Sequence, residues 1–409
     1  MRKPTYISAF LLLCVLLVAG GMLLPLQAQN NTSSPFSCFG YGELNDNVPG
    51  QLRSMGGVWT GMRDKRVINP AQPASYSVVD STTFMFDLGA SVMWTNYGDS
   101  KGVKNLANGN LEYLTIQFPI WKYIGFSVGV LPYSMVGYDI TDSVKSVPHP
   151  YTKVYTGEGG ITEVYGGLSF NILNWAAVGA NVYYMFGNVL NNRALVFNEA
   201  GINSALQTSM THVSDYRLRY GAQLFHTFGK HGVVLGAVFE NKKPFRVTYL
   251  EEETLTADTV EYLVNGGFDL PMMFSVGASY CYDNRLLLAA DYGMTAWGDI
   301  RYKWGPNLRN RQRFAFGAEY RHNPLGRRYV ERMPFRFGLS MTDPYVNEIN
   351  SRDYTVSIGV GFPLRNVNTV INASLEYGHR GSAAVMQENY LRLTINAGIA
   401  ETWFFKRRL

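Results

Sequence analysis

Residues 313–321 read RFAFGAEYR. Side chains two apart share a face of a β-strand, so Phe314, Phe316, Ala318 and Tyr320 fall on one side. Arg313, Gly317, Glu319 and Arg321 take the other. A water-soluble sandwich buries its oily face, and its strands average about five or six residues. Here the alternation runs for about ten residues or more, the length of a tilted span across a thin membrane. The pattern therefore predicts rings turned out to lipid and charges enclosed.

The same division recurs along the chain. Phe84, Phe86, Leu88, Ala90, Val92 and Trp94 oppose Asp87, Gly89, Ser91 and Thr95. Ile124, Phe126, Val128 and Val130 oppose Gly125, Ser127 and Gly129, and Phe335, Phe337, Leu339 and Met341 oppose Arg336, Gly338, Ser340 and Thr342. Val356 to Phe362 and Leu391 to Ala397 repeat it. Counting such segments gives about fourteen, an even number as single-chain bacterial barrels require. Trp121-Lys122, Leu173-Asn174, Gly229-Lys230 and Asp283-Asn284 read as tight turns, whereas 97–108, 141–155, 188–211, 251–268 and 298–310 read as long polar loops. Short and long alternate, as periplasmic turns and extracellular loops do, with 323–332 the longest connection on the periplasmic side. Trp94 with Tyr97, Tyr183 with Tyr184, Tyr280 with Tyr282 and Trp403 with Phe405 are candidates for the interfacial aromatic girdles.

The beginning of the chain is different. Arg2 and Lys3, an apolar run over 7–26 and a small-residue site at Ala28 read as a secretory leader over 1–28. Residues 29–81 follow, then the strand-rich region 82–409. Within the middle part, LRSMGGVWTGMRDKRVINPAQPAS at 52–75 has Gly56, Gly57 and Gly61 for turns, and Pro70 and Pro73 to forbid a continuous strand. A non-strand segment cannot face lipid, so its expected place is inside the barrel as a plug. Export leaves Cys38 and Cys281 in an oxidising compartment. Cys281 falls beside the turn at Asp283-Asn284 and Cys38 just before the plug, so two readings stand: two unrelated thiols, or a disulfide at the periplasmic mouth. The net charge of +5 is spread along strands and forms no nucleic-acid footprint. Neither a paired-histidine zinc motif nor a serine elbow is present, so no enzyme, metal or cofactor is expected.

Several motifs look familiar in their order. Arg53-Ser54-Met55-Gly56-Gly57 followed by Asn69-Pro70-Ala71 resembles the N-terminal hatch of FadL-type long-chain fatty-acid transporters of the Gram-negative outer membrane. Leu270-Pro271, the run Ser275 to Tyr280, Leu286 to Tyr292 with Trp297, and Phe316-Gly317-Ala318-Glu319-Tyr320 resemble later family motifs. The resemblance implies a fourteen-stranded barrel closed by a hatch, taking up hydrophobic compounds and releasing them sideways or into the periplasm. Each CH₂ exposed to water costs about 0.8 kcal/mol, so an apolar path past a movable plug lowers the barrier. Met55, Gly56, Gly57, Asn69, Pro70 and Ala71 are then the gating residues of the hatch, and Pro132 resembles the kink of the family's wall gate.

An acidic headgroup would want a luminal cation. Arg217, Arg219, Arg313 and Arg336 have inward parity, although Asp87, Asp291, Glu319 and Glu376 also point inward and offer them structural ion pairing. The expected partners are outer-membrane lipid, a hydrophobic small molecule and other outer-membrane or periplasmic proteins. That last partner carries a second reading: some FadL-like barrels are structural subunits of larger outer-membrane secretion or assembly machines and transport nothing.

Overall fold

The computed structural model describes residues 32–99, 102–197, 199, 202–255, 258–302, 308–347, 351–364, 369–382 and 386–402. The leader at 1–28 and the aromatic tail at Trp403 and Phe405 lie outside the described residues.

A two-residue strand, β1 (Glu43–Leu44), precedes six long strands. These are β2 (Thr83–Asp99), β3 (Gly102–Trp121), β4 (Ile124–Val144), β5 (Tyr151–Leu173), β6 (Ala176–Phe197) and β7 (Ala205–Phe228). A broken stretch follows: β8 (His231–Glu240), β9 (Lys243–Phe245), β10 (Val247–Leu255), β11 (Asp258–Asn265) and β12 (Phe268–Leu270). The wall then resumes with β13 (Met273–Tyr282), β14 (Leu286–Thr295), β15 (Arg311–Tyr320), β16 (Phe335–Thr342), β17 (Asp353–Pro363), β18 (Val370–Ser382) and β19 (Met386–Thr402). Fourteen strands, β2–β8 and β13–β19, make one antiparallel barrel. It closes where β19 meets β2, from Gln387↔Gly98 to Thr402↔Thr83. Closure leaves the wall no open edge in lipid, where unpaired backbone groups would be costly. No helix among the described residues is long and apolar enough to cross a membrane.

The sidedness read from 313–321 holds. Phe314, Phe316 and Tyr320 are 43–50% exposed on the outer face, while Glu319 and Arg336 are buried inside. The turns fall at the expected places, and Asp283 and Asn284 take left-handed φ values of 51° and 52°. Two expectations need correction. Tyr97 and Tyr183 are not girdle residues: both are buried inside, whereas Trp94, Tyr184, Tyr280 and Tyr282 face out. Neighbouring residues in a strand point to opposite faces, so 183 and 184 cannot share a girdle.

The polar stretches at 141–155 and 188–211 are mostly not loops. β4, β5, β6 and β7 run 21, 23, 22 and 24 residues through them. Side-chain polarity marks where a wall leaves the hydrocarbon, but the ladder continues wherever a neighbouring strand satisfies its backbone groups. β13–β17 are only 8–11 residues long, so the barrel is tall on one flank and low on the other. Over the low flank, Trp297 and Tyr345 pack with Tyr41, Phe245 and Phe268 in a buried aromatic cluster.

Candidate functional site in the barrel lumen

The N-terminal segment, residues 32–79, lies within the barrel and is almost wholly buried. Its chain is compacted by local bonds. A single helical turn, Gly50–Arg53, leads into Gly56 and Gly57, whose φ values of 67° and 72° reverse the backbone. Asn69 donates its side-chain amide to Trp59 O at 2.8 Å, and Gln72 accepts from Ala74 N at the start of a 3₁₀ turn, Pro73–Val78.

The wall is shaped to admit this backbone. A Cβ built on inward-facing Gly338 would sit 1.8 Å from Gly56 N, one on Gly236 1.9 Å from Thr60 O, and one on Gly125 2.2 Å from Tyr76 O. Strands on opposite sides of the barrel therefore carry glycine where the segment touches them. Polar side chains add hydrogen bonds between segment and wall. The Asp291 carboxylate accepts the N–H groups of Trp59, Thr60 and Gly61 at 2.5, 2.7 and 3.4 Å. Asn181 and Tyr183 each donate to Pro70 O at 2.8 Å, and the Arg63 guanidinium donates to Ala74 O at 2.8 Å while lying over the Phe225 ring.

The four arginines expected to meet a ligand headgroup are all inward, and all are matched. Arg217 donates to Glu163 at 2.7 and 2.8 Å and to Glu240 at 2.6 Å, and Arg219 bonds the same Glu240. Arg336 donates to Glu319 at 2.7 Å and to Asn372 at 2.8 Å. Arg313 donates to the carbonyls of Gly56 and Gly57 at 2.7 and 3.0 Å, with Asp46 at 3.3 Å. The inward carboxylates divide their work. Glu319 and Glu376 pair with arginine, but Asp291 binds backbone, and Asp87 receives Asn396 and Tyr113. Glu163, Glu240 and Asp46 were not singled out from sequence. Inward parity marks Glu163 and Glu240 within their strands, whereas nothing in the irregular segment marks Asp46.

Pro132 sits at a real irregularity. The β4–β5 register shifts between Pro132 and Ser134, and β3 pairs with β4 only from Leu114↔Val130 downward to Trp121↔Ile124. Above that point the two strands part on the extracellular side. The seam is bridged from inside: Ser33 bonds Asn108 of β3, Ser37 bonds the backbone of Gly137 in β4, and β1 pairs Glu43↔Met135 and Leu44↔Ser134. Residues 32–45 thus lie toward the extracellular end, opposite to the expectation. For the same reason no disulfide joins Cys38 to Cys281. Cys38 belongs to the part of the segment bonded beside Gly137, and Cys281 pairs with Gly232, one pair before the periplasmic turn at Asp283.

What remains open is two small voids and a larger funnel. One void of about 100 Å³ is lined by Leu44, Trp59, Tyr133, Leu270 and Trp297 with Arg217 and Glu240. A second, of about 120 Å³, is ringed by charged groups including Glu43, Asp46, Arg311 and Arg380. A funnel of about 980 Å³ opens to the periplasm below Met62, Arg63 and Arg66.

A family model described as BamG matches residues 7–409. No curated protein matches by sequence. Among solved structures, the CymD monoaromatic hydrocarbon channel aligns with a TM-score of 0.59 at 13% identity, over 90% of this chain and 99% of that one. The Ralstonia pickettii toluene transporter TbuX gives 0.56 at 14%, over 87% and 98%. A Pseudomonas aeruginosa FadL homologue gives 0.56 at 11%, over 92% and 100%. The fold is that of the FadL-type barrels.

Proposed function

The chain belongs to the BamG family, and on that premise we propose that it works as a closed FadL-type barrel, a structural subunit of a larger outer-membrane secretion or assembly machine. The observation that carries this is the fit of the luminal segment, which is bonded to the wall through Asp291, Arg313, Asn181 and Tyr183 and packed against inward glycines. Hydrogen bonds to charged groups contribute about 1.5–3 kcal/mol each, so withdrawing the segment from Asp291 and Arg313 alone costs several kcal/mol. In this reading Met55, Gly56, Gly57, Asn69, Pro70 and Ala71 anchor the plug rather than gate it. The four paired arginines hold the interior together, and none of the four is left to meet a fatty-acid carboxylate.

A second reading, uptake of a hydrophobic compound, is favoured by the seam between β3 and β4 and by the solved channels of this fold, described as carrying monoaromatic hydrocarbons and toluene. The void beside Trp59, Leu270 and Trp297 suits a small apolar molecule better than a long acyl chain. Entry at the seam past Pro132 requires residues 32–45 to move.

Purification from native membranes under mild detergent, with bound proteins and lipids both identified, separates the two. Stoichiometric co-purification with other barrel proteins, with toluene and fatty-acid uptake unchanged on deletion, supports the subunit. A solitary barrel whose deletion abolishes uptake overturns it.

A further inference from the structure

Among the described residues, the tall flank of the wall ends in a sheet edge that no strand register pairs. β10 is joined to β7 from Val247↔Val213 to Leu255↔Ala205, on the extracellular side, and to β11 from Thr248↔Asn265 to Leu255↔Asp258. Among the described residues no register pairs the far edge of β11 with another strand. Exposed edges are ordinarily blunted by lysine, proline or a bulge. DTVEYLVN at 258–265 has neither lysine nor proline, and its register with β10 runs without a shift. Val260, Tyr262 and Leu263 are 45%, 52% and 64% exposed, so apolar side chains stand out on both faces of this strand.

Charge selects the occupant. Residues 247–265, VTYLEEETLTADTVEYLVN, hold five acidic residues and no lysine or arginine. Two copies of the hairpin would bring like charges together, which opposes pairing of this chain with itself. We propose that the free edge of β11 docks an extended lysine- or arginine-rich segment of a partner protein, added as one more strand. Main-chain bonds then supply the affinity and the acidic hairpin the selectivity. The inference rests on the subunit reading and names the chemistry by which that subunit grips a neighbour.

The antiparallel alternation fixes a clean variant. Counting from Leu255↔Asp258, the N–H of Leu263 points away from β10, so Leu263→Pro removes a docking donor without breaking the hairpin. The probe is a synthetic peptide of alternating valine and lysine, with an alternating valine and glutamate peptide as its counterpart. Both are titrated against the full chain in detergent, read by fluorescence anisotropy and by amide exchange over 258–265. The expected result is saturable binding of the lysine peptide with slowed exchange, weakened about tenfold by Leu263→Pro, a factor that one lost bond can supply. Glu252→Lys should weaken it further at low salt than at high salt. Equal binding of both peptides, no slowing of exchange, or edge-to-edge dimers of the chain by sedimentation would each overturn the proposal. Because the probe is a peptide, its failure leaves the native-membrane co-purification to stand or fall alone.

Discussion

Asp291 reaches in from β14 and accepts the backbone N–H of Thr60 at 2.7 Å. The same carboxylate takes the N–H groups on either side of Thr60, so a single wall residue fixes three consecutive peptides of the luminal segment. This acid makes an irregular chain into part of the barrel. A non-repeating backbone has no ladder of its own, and inside a membrane its donors must be met by side chains.

Asp291→Ala strands those three donors, each costing about 1–3 kcal/mol when left unmet. The thermal midpoint in detergent should fall, and trypsin should gain access to Arg63, Lys65 and Arg66 while the barrel stays folded by its heat-modified mobility in gels. A variant as protease-resistant as the parent would mean the segment is held without Asp291.

Gly338 tests the packing separately. Its added methyl would meet Gly56 N at 1.8 Å and Met55 C at 2.1 Å, both backbone atoms with little room to yield. Gly338→Ala should therefore destabilise by about 1–3 kcal/mol, the usual cost of overpacking. Gly166, with nothing within 4 Å of its added methyl, is the control, and Gly166→Ala should lie within about 0.5 kcal/mol of the parent. Equal midpoints for the two variants would contradict the close approach.

Much of this was legible in the chain. The alternation at 313–321 set the sidedness, and the tight turns set the number and direction of the strands, because both signals are local. The inward arginines followed from parity, but of the carboxylates read with them only Glu319 meets one of the four, at Arg336; Glu163, Glu240 and Asp46 match the others. Three things were not legible. How far β4–β7 continue past the membrane depends on neighbours that are distant in sequence. The direction in which 32–45 threads depends on the seam above Val130, a feature of two strands together. The position of Cys38 followed from that threading, so the error in one carried into the other, while Cys281 lies beside its turn as read.

Arg217 lies between Glu163 and Glu240, and the Tyr183 ring is 4.3 Å from its guanidinium carbon. Breaking a buried pair by removing one partner typically costs about 3–5 kcal/mol, while replacing the whole set with apolar groups is often neutral. Arg217→Met alone should thus be strongly destabilising, and the double variant Arg217→Met, Glu163→Gln, which leaves Glu240 to Arg219, should recover most of the loss in chemical denaturation. A double variant no better than the single would show that the arginine's packing, not its charge, is what matters.

The clasp between Asp269 and Arg301 on the extracellular side gives a test by pH. Arg301 donates to Asp269 through its guanidinium at 2.8 and 3.1 Å and through its backbone N–H at 3.1 Å. The guanidinium bonds are the main reason the carboxyl is held below the usual aspartate range, with the backbone bond and the charges of Arg301 and Lys242 assisting. A group whose folded pKa is depressed contributes stability above its unfolded value, about 3.9 for aspartate, and loses it as pH falls through the lower folded value. Asp269→Asn removes the titration. The difference in thermal midpoint between parent and Asp269→Asn should accordingly be constant from neutral pH to about pH 5 and shrink toward zero below about pH 4. A difference that grows on acidification would have the wrong sign for this clasp, and one that never changes would mean that Asp269 keeps its charge to no structural effect.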